Sequence, residues 1–156
     1  MHGSAARVLG LLERSGLSLG VAESLTGGLL VAELVAVPGA SRVVRGGVVA
    51  YATDLKHSLL GVDVELLAER GAVDPDVARQ MARGVSARLG ADVGVATTGV
   101  AGPDAQDGQP PGTVYVAVCR GGAETVAERH EIPGDRAAVR DGSVVAALAL
   151  LERVLR

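Results

Sequence analysis

The stretch LSLGVAESLTGGLLVAELV, residues 17–35, changes its period in mid-course. Over Leu17–Ala22 the apolar residues alternate as in a short strand, and after Glu23-Ser24-Leu25-Thr26-Gly27-Gly28 they recur at helical spacing to about Val35, stopping near Pro38-Gly39. A strand passed through a glycine-bearing turn into a helix is the building step of an α/β fold. Upstream, residues 4–15 carry a helical pattern that ends before Gly16. Downstream, Val43–Tyr51 reads as a strand whose paired Gly46 and Gly47 predict a bulge or a close approach. Thr53 is expected to cap a short helix that holds Lys56 and ends at Gly61, and a second helix runs from near Asp63 to before Gly71. Asp74-Pro75 opens a longer helix, with a capping carboxylate followed by Pro at the first helical position, and Gly90 closes it. Asp92–Thr98 is a buried strand and Gly99–Gly112 a long loop. Thr113–Cys119 and Thr125–Ile132 form a hairpin around Gly121-Gly122, and Asp135 caps a final helix. The order predicts one three-layer α/β/α domain over residues 1–156, with a mixed, mostly parallel sheet.

Composition narrows the function. There is no Trp or Phe and there are only two Tyr, so the core is Val, Leu and Ala, and the aromatic platform on which single-stranded nucleic acid stacks is missing. The net charge of −3, without a Lys/Arg run, gives a nucleic-acid backbone no footprint; a small substrate is expected, with no nucleic acid and no membrane as partner. Cys119 stands alone, and His2, His57 and His130 lie far apart, so neither a disulfide framework nor a metal motif is indicated. No apolar run approaches the about 20 residues that span a bilayer, and no leader pattern opens the chain, so a cytoplasmic location is expected.

Lys56 is the only lysine, against fourteen arginines. Arginine stays protonated, whereas a buried lysine can lose its proton and act as a base. Four segments that could meet it fall just after strands, where α/β sheets place ligands. In the first, Ser24 sits at a strand-to-helix junction, and the backbone N–H groups near Thr26, Gly27 and Gly28 could face an oxyanion or a phosphate; a cap is the alternative role for Ser24 or Thr26. The second holds Tyr51 and Lys56, both able to face the crevice of Ser24. A serine needs an adjacent base, which a neutral lysine supplies. Thr53-x-x-Lys56 copies the S-x-x-K spacing and would make Thr53 the nucleophile, but the cap role fits it better. Tyr51 is either functional or an amphipathic filler. The third segment brings Thr98, Gly99, Gly102 and Pro103 to a strand end where backbone can approach a ligand. The fourth puts Arg136 and Arg140 one turn apart at a helix start, which suits a phosphate.

AESLTGG at 22–28, GGVVAYATDLK at 46–56, GAV at 71–73, TGVAGPD at 98–104, PGTVY at 111–115 and PGDR at 133–136 occur in the order and spacing of one pattern. Together they resemble the C-terminal domain family of the competence/damage-inducible protein CinA, whose characterised activity is nicotinamide mononucleotide deamidation. The resemblance implies hydrolysis of the nucleotide's carboxamide to the acid and ammonia, in pyridine nucleotide recycling, with no metal and no cofactor. It places the nucleophile on Ser24, the base on Lys56 and a proton-positioning role on Tyr51, and it extends the binding positions to Gly112 and Thr113. Either Arg136 or Arg140 would take the 5′-phosphate. The chain departs from the pattern at Asp74, where many relatives have Ser; at Leu25, where some have Cys; and in the loop bearing Asp104, Gln106 and Asp107. Full-length relatives carry a larger N-terminal domain outside these 156 residues, and its activity is not expected here. The competing expectation is a catalytically silent nucleotide-binding or interaction module. The lysine favours the enzyme, because binding alone does not demand a cation that arginine could not replace. Enzymes of this kind commonly assemble symmetrically, so a homo-oligomer is expected.

Overall fold

In the computed structural model, which describes residues 1–156, strand β1 (Leu19–Glu23) is paired on both sides in parallel, with β2 (Val44–Val49) and β3 (Val93–Gly99). Strands β4 (Thr113–Arg120) and β5 (Val126–Glu131) follow antiparallel, giving the order β2-β1-β3-β4-β5. Four strands therefore run one way and β4 the other, as the sequence predicts. Helices α1 (His2–Ser15), α2 (Leu29–Val35) and α6 (Arg136–Leu155) cover one face; α3 (Thr53–Leu60), α4 (Val64–Arg70) and α5 (Pro75–Leu89) cover the other. No helix is long and apolar enough to cross a membrane.

The two faces of the sheet are built differently. Leu19, Val21, Val93, Val95, Val114, Val116 and Val118 point into the larger core under α1 and α6. The opposite face alternates in small residues: Gly20, Ala22, Gly94, Ala96 and Ala117 lie beneath α5. The glycines are steric necessities, since a Cβ on Gly94 would collide with the Ala82 carbonyl of α5. Gly84, on α5 itself, lies so close to α3 that a Cβ there would collide with the Leu60 carbonyl oxygen. The helix that carries Lys56 is thus seated directly on the backbone of α5.

Most boundaries fall within two residues of the sequence reading. The first strand begins at Leu19 because the Ser18 N–H is taken by the Asp92 carboxylate at 2.8 Å instead of by the ladder. The Gly46-Gly47 pair serves both expected purposes: the pairing register shifts as the chain passes from Val44 to Gly46, and Gly47 leaves only contact distance to Val31. Asp74 accepts from the N–H groups of Asp76 and Val77, so its carboxylate is the cap of α5. Thr53 departs from expectation. The capping position of α3 is Ala52, with no side-chain hydrogen bond, and Thr53 is already the first helical residue, too late for its hydroxyl to reach the free N–H groups.

Candidate active site

Ser24 stands where β1 runs into its turn. Its N–H donates to the Thr97 carbonyl at 3.1 Å, continuing the β1–β3 pairing one residue past the strand, and behind it the Thr26 and Thr97 hydroxyls meet at 2.8 Å. Gly27 and Gly28 turn the chain with φ of 57° and 106°, a region that side chains disfavour. The fully buried carboxylate of Glu23 then closes the turn, accepting from the N–H groups of Leu30 at 2.8 Å and Val31 at 3.1 Å in the first turn of α2. A carboxylate at a helix start satisfies two orphan donors and opposes the positive end of the helix. Of the turn's own donors, the Gly27 N–H is spent on the Ser24 carbonyl, while those of Leu25, Thr26 and Gly28 meet no acceptor in the protein.

Lys56 is only 1% exposed. Its Nζ is 3.0 Å from Ser24 Oγ, 2.8 Å from the Ala50 carbonyl oxygen and 3.2 Å from that of Tyr51. Ala50 is held in turn by the sheet, since its N–H donates to the Glu23 carbonyl at 2.8 Å. Three oxygens around a tetrahedral nitrogen satisfy all three donors of the ammonium, and in the neutral amine two N–H groups keep the carbonyls while the lone pair turns to the serine O–H. Burial lowers the Lys56 pKa from 10.5 to about 8, with Asp107 opposing the fall. Near pH 7 such an amine is neutral roughly 300 times more often than an ordinary lysine. Thr53 makes no contact with Nζ, so geometry pairs the lysine with Ser24 and not with the residue three positions before it.

Ser24 opens on a cleft of about 620 Å³, walled by Tyr51 and Thr53 on one side, by the loop Gly99–Gln106 on another, and by Arg136. The Gly102–Pro103 bond in that loop is cis. Arg136 donates from Nη1 to the Gly102 carbonyl at 2.6 Å and from Nη2 to the Tyr51 hydroxyl at 3.0 Å, joining the two walls. Tyr51 is 60% exposed, and its hydroxyl touches neither Ser24 nor Lys56; it is the main-chain carbonyl of this residue that reaches the amine. The expected proton-positioning hydroxyl is therefore a brace for Arg136.

The remaining expected positions divide. Gly99, Gly102 and Pro103 line the cleft, but Thr98 is buried behind it with its hydroxyl on the Ala72 carbonyl at 2.7 Å. Arg140 is committed elsewhere than to a ligand: it donates to the carbonyls of Leu25 at 2.9 Å and Thr26 at 3.2 Å, bracing the nucleophile turn from α6. Gly112 and Thr113 lie off the cleft. Gly112 serves the β4–β5 junction, where a Cβ would collide with the Ile132 carbonyl, and Thr113 is buried there with its hydroxyl unpartnered. Sequence reasoning missed the helix-closing role of Glu23, although its place just before the turn was a signal, and it left Asp104 and Gln106, which line the cleft, without a role.

Comparisons with known proteins show the family to which the fold belongs. The family model for the CinA C-terminal domain matches residues 2–155. A CinA-like protein of Frankia casuarinae is 52% identical over 148 residues, covering 95% of this chain and 34% of that protein. A putative competence-damage inducible protein of Desulforamulus reducens is 45% identical over 146 residues, covering 94% of this chain and 35% of its own. The chain thus spans about a third of the length of these curated relatives. Among solved structures, a competence-damaged protein (CinA) superfamily protein of Klebsiella pneumoniae superposes with a TM-score of 0.94 at 35% identity, covering 99% of this chain and 96% of that one. The competence/damage inducible protein of Agrobacterium tumefaciens gives 0.95 at 34% identity, covering 99% and 95%. The chain belongs to the CinA C-terminal domain family.

Proposed function

We propose that the chain is a nicotinamide-nucleotide amidohydrolase that converts nicotinamide mononucleotide to nicotinate mononucleotide and ammonia through a Ser24 acyl-enzyme. The observation that carries this reading is the buried Lys56 amine set 3.0 Å from Ser24 Oγ in the wall of a cleft. The neutral amine takes the Ser24 proton as Oγ bonds to the carboxamide carbon. The developing oxyanion is met by the Leu25 N–H at the cleft wall, which has no acceptor within the protein. The ammonium of Lys56 then returns the proton to the departing nitrogen, and the C–N bond breaks to release ammonia. Water, deprotonated by the same amine, attacks the acyl carbon; the nicotinate leaves and the Ser24 hydroxyl is restored. Arg136 faces the cleft and takes the 5′-phosphate, while Arg140 keeps the nucleophile turn in shape.

The test is incubation of the purified protein with nicotinamide mononucleotide, with ammonia and the acid measured together. Equal amounts of both are expected. Failure to form either at high enzyme concentration, while the nucleotide still binds, would leave a nucleotide-binding module in place of the enzyme.

A further inference from the structure

The loop that walls the cleft is anchored at its far end by a single side chain. Gln106 and Gln109 exchange both backbone hydrogen bonds, at 3.1 and 2.8 Å, around a two-residue turn of Asp107 and Gly108, whose φ values are 50° and 74°. Positive φ at both central residues makes this a type I′ turn, and Asp-Gly is among the pairs that tolerate it. The turn aims the Asp107 side chain at the start of the segment that joins α4 to α5. There Oδ2 accepts from the Ala72 N–H at 3.0 Å, and a Cβ on Gly71 would lie 2.5 Å from Asp107 Cγ. Glycine at 71 is thus the socket for this carboxylate. Ala72 is held on its other side too, because its carbonyl accepts from the Thr98 hydroxyl at 2.7 Å. The backbone of one residue, through the two peptide groups that flank it, ties the end of β3 and the cleft loop together.

We propose that Asp107 is a positioning residue of the active site: it fastens the cleft wall to the Gly71–Ala72 turn and holds a negative charge in the field of the Lys56 amine. The proposal rests on the reading of Lys56 as the base. The other charged groups around α3 are committed or turned outward. Glu23 of β1 is closed on the N–H groups of Leu30 and Val31. Asp63 caps α4, and Asp74 caps α5 beside Arg70. Asp76 lies between Arg70 and Arg79. Asp54 and His57, on α3 itself, are exposed, and Arg136 is engaged with Gly102 and Tyr51. Asp107, itself exposed but fixed on the Ala72 N–H, opposes the burial that lowers the Lys56 pKa. The reaction asks for both tendencies, since the same nitrogen must be neutral to activate serine and protonated to expel ammonia.

The single lysine makes the test direct. Protein labelled with ¹³C-lysine carries one Cε signal, and its shift against pH reads the Lys56 amine without any substrate. In Asp107→Asn the amide oxygen still accepts from Ala72, so the turn should stay while the Lys56 midpoint moves to lower pH; an unmoved midpoint would overturn the electrostatic role. In Asp107→Ala the midpoint should fall likewise and the Ala72 amide should exchange its hydrogen faster than in the parent and in Asp107→Asn. Unchanged exchange at Ala72 would overturn the fastening role. Neither readout uses turnover. A protein that responds in both ways yet releases no ammonia from nicotinamide mononucleotide would keep Asp107 in this role and lose the amidase reading.

Discussion

Arg136 Nη2 donates to the Tyr51 hydroxyl at 3.0 Å, so the cation at the start of α6 is steadied by an aromatic residue at the end of β2. Because the hydroxyl serves the arginine and only the Tyr51 carbonyl serves Lys56, Tyr51→Phe should leave kcat close to the parent. It should raise KM for the nucleotide up to roughly fivefold, the effect of about 1 kcal/mol from one lost hydrogen bond. Arg136→Ala should raise KM more, and the loss should disappear when the nucleoside without its phosphate is the substrate. Steady-state kinetics on both substrates decide this; a large fall in kcat for Tyr51→Phe would return its hydroxyl to the chemistry.

Lys56→Arg keeps the charge and removes the base. Turnover should drop by at least roughly 10³-fold, and Ser24→Ala by a similar factor. The two residues act as one unit, so the double variant should be no worse than either single one. Independent, multiplying losses would argue that the amine and the hydroxyl serve separate steps.

The depressed pKa of Lys56 fixes two pH dependences. With a working pKa of about 8, kcat/KM should climb with pH and level off above that value. For stability the sign follows from proton binding. Between about 8 and 10.5 the unfolded chain holds the lysine proton and the folded one does not, so unfolding free energy rises with pH across that window. Below it the folded state carries the full penalty, roughly 3 kcal/mol. Denaturation of the parent and of Lys56→Met at pH 7 and pH 10 isolates the effect: the parent should gain relative to the variant at the higher pH.

Gly84→Ala adds one methyl group against the Leu60 carbonyl, which is backbone and cannot swing aside. The cost should be about 1–3 kcal/mol of stability, read as a lower Tm. Activity of the folded protein should fall as well, because α3 must shift and Lys56 rides on it. Thr53→Ala, by contrast, should change stability little, since this hydroxyl caps nothing.

Much of this was legible in the sequence where a local rule decides. Asp74-Pro75 and Gly90 bounded α5 because capping is a matter of a few neighbouring N–H groups, and the solitary Lys56 was recognisable because its chemistry differs from that of every other cation in the chain. Thr53 misled because the cap is the residue before the first helical one, and Ala52 takes that position by backbone conformation alone. Arg136 and Arg140, one turn apart, look alike in sequence, yet the start of α6 points one into the cleft and the other onto the carbonyls of the nucleophile turn. Tyr51 hid its role because a residue can act through its main chain, which sequence does not mark. Asp107-Gly108 did carry a signal, the dipeptide of a tight hairpin, but its partner at Gly71 is set by how distant segments pack.

The backbone of Ala50 links the base to the sheet, its N–H on the Glu23 carbonyl and its own carbonyl on Lys56. The spacing between amine and serine therefore depends on strand pairing as well as on the seat of α3 against α5. A core of interchangeable Val, Leu and Ala can drift under mutation without disturbing the reactive pair, so long as β1 and β2 keep their alignment and α3 its close seat on α5. Such a family can diverge widely in its interior while its chemistry stays in register.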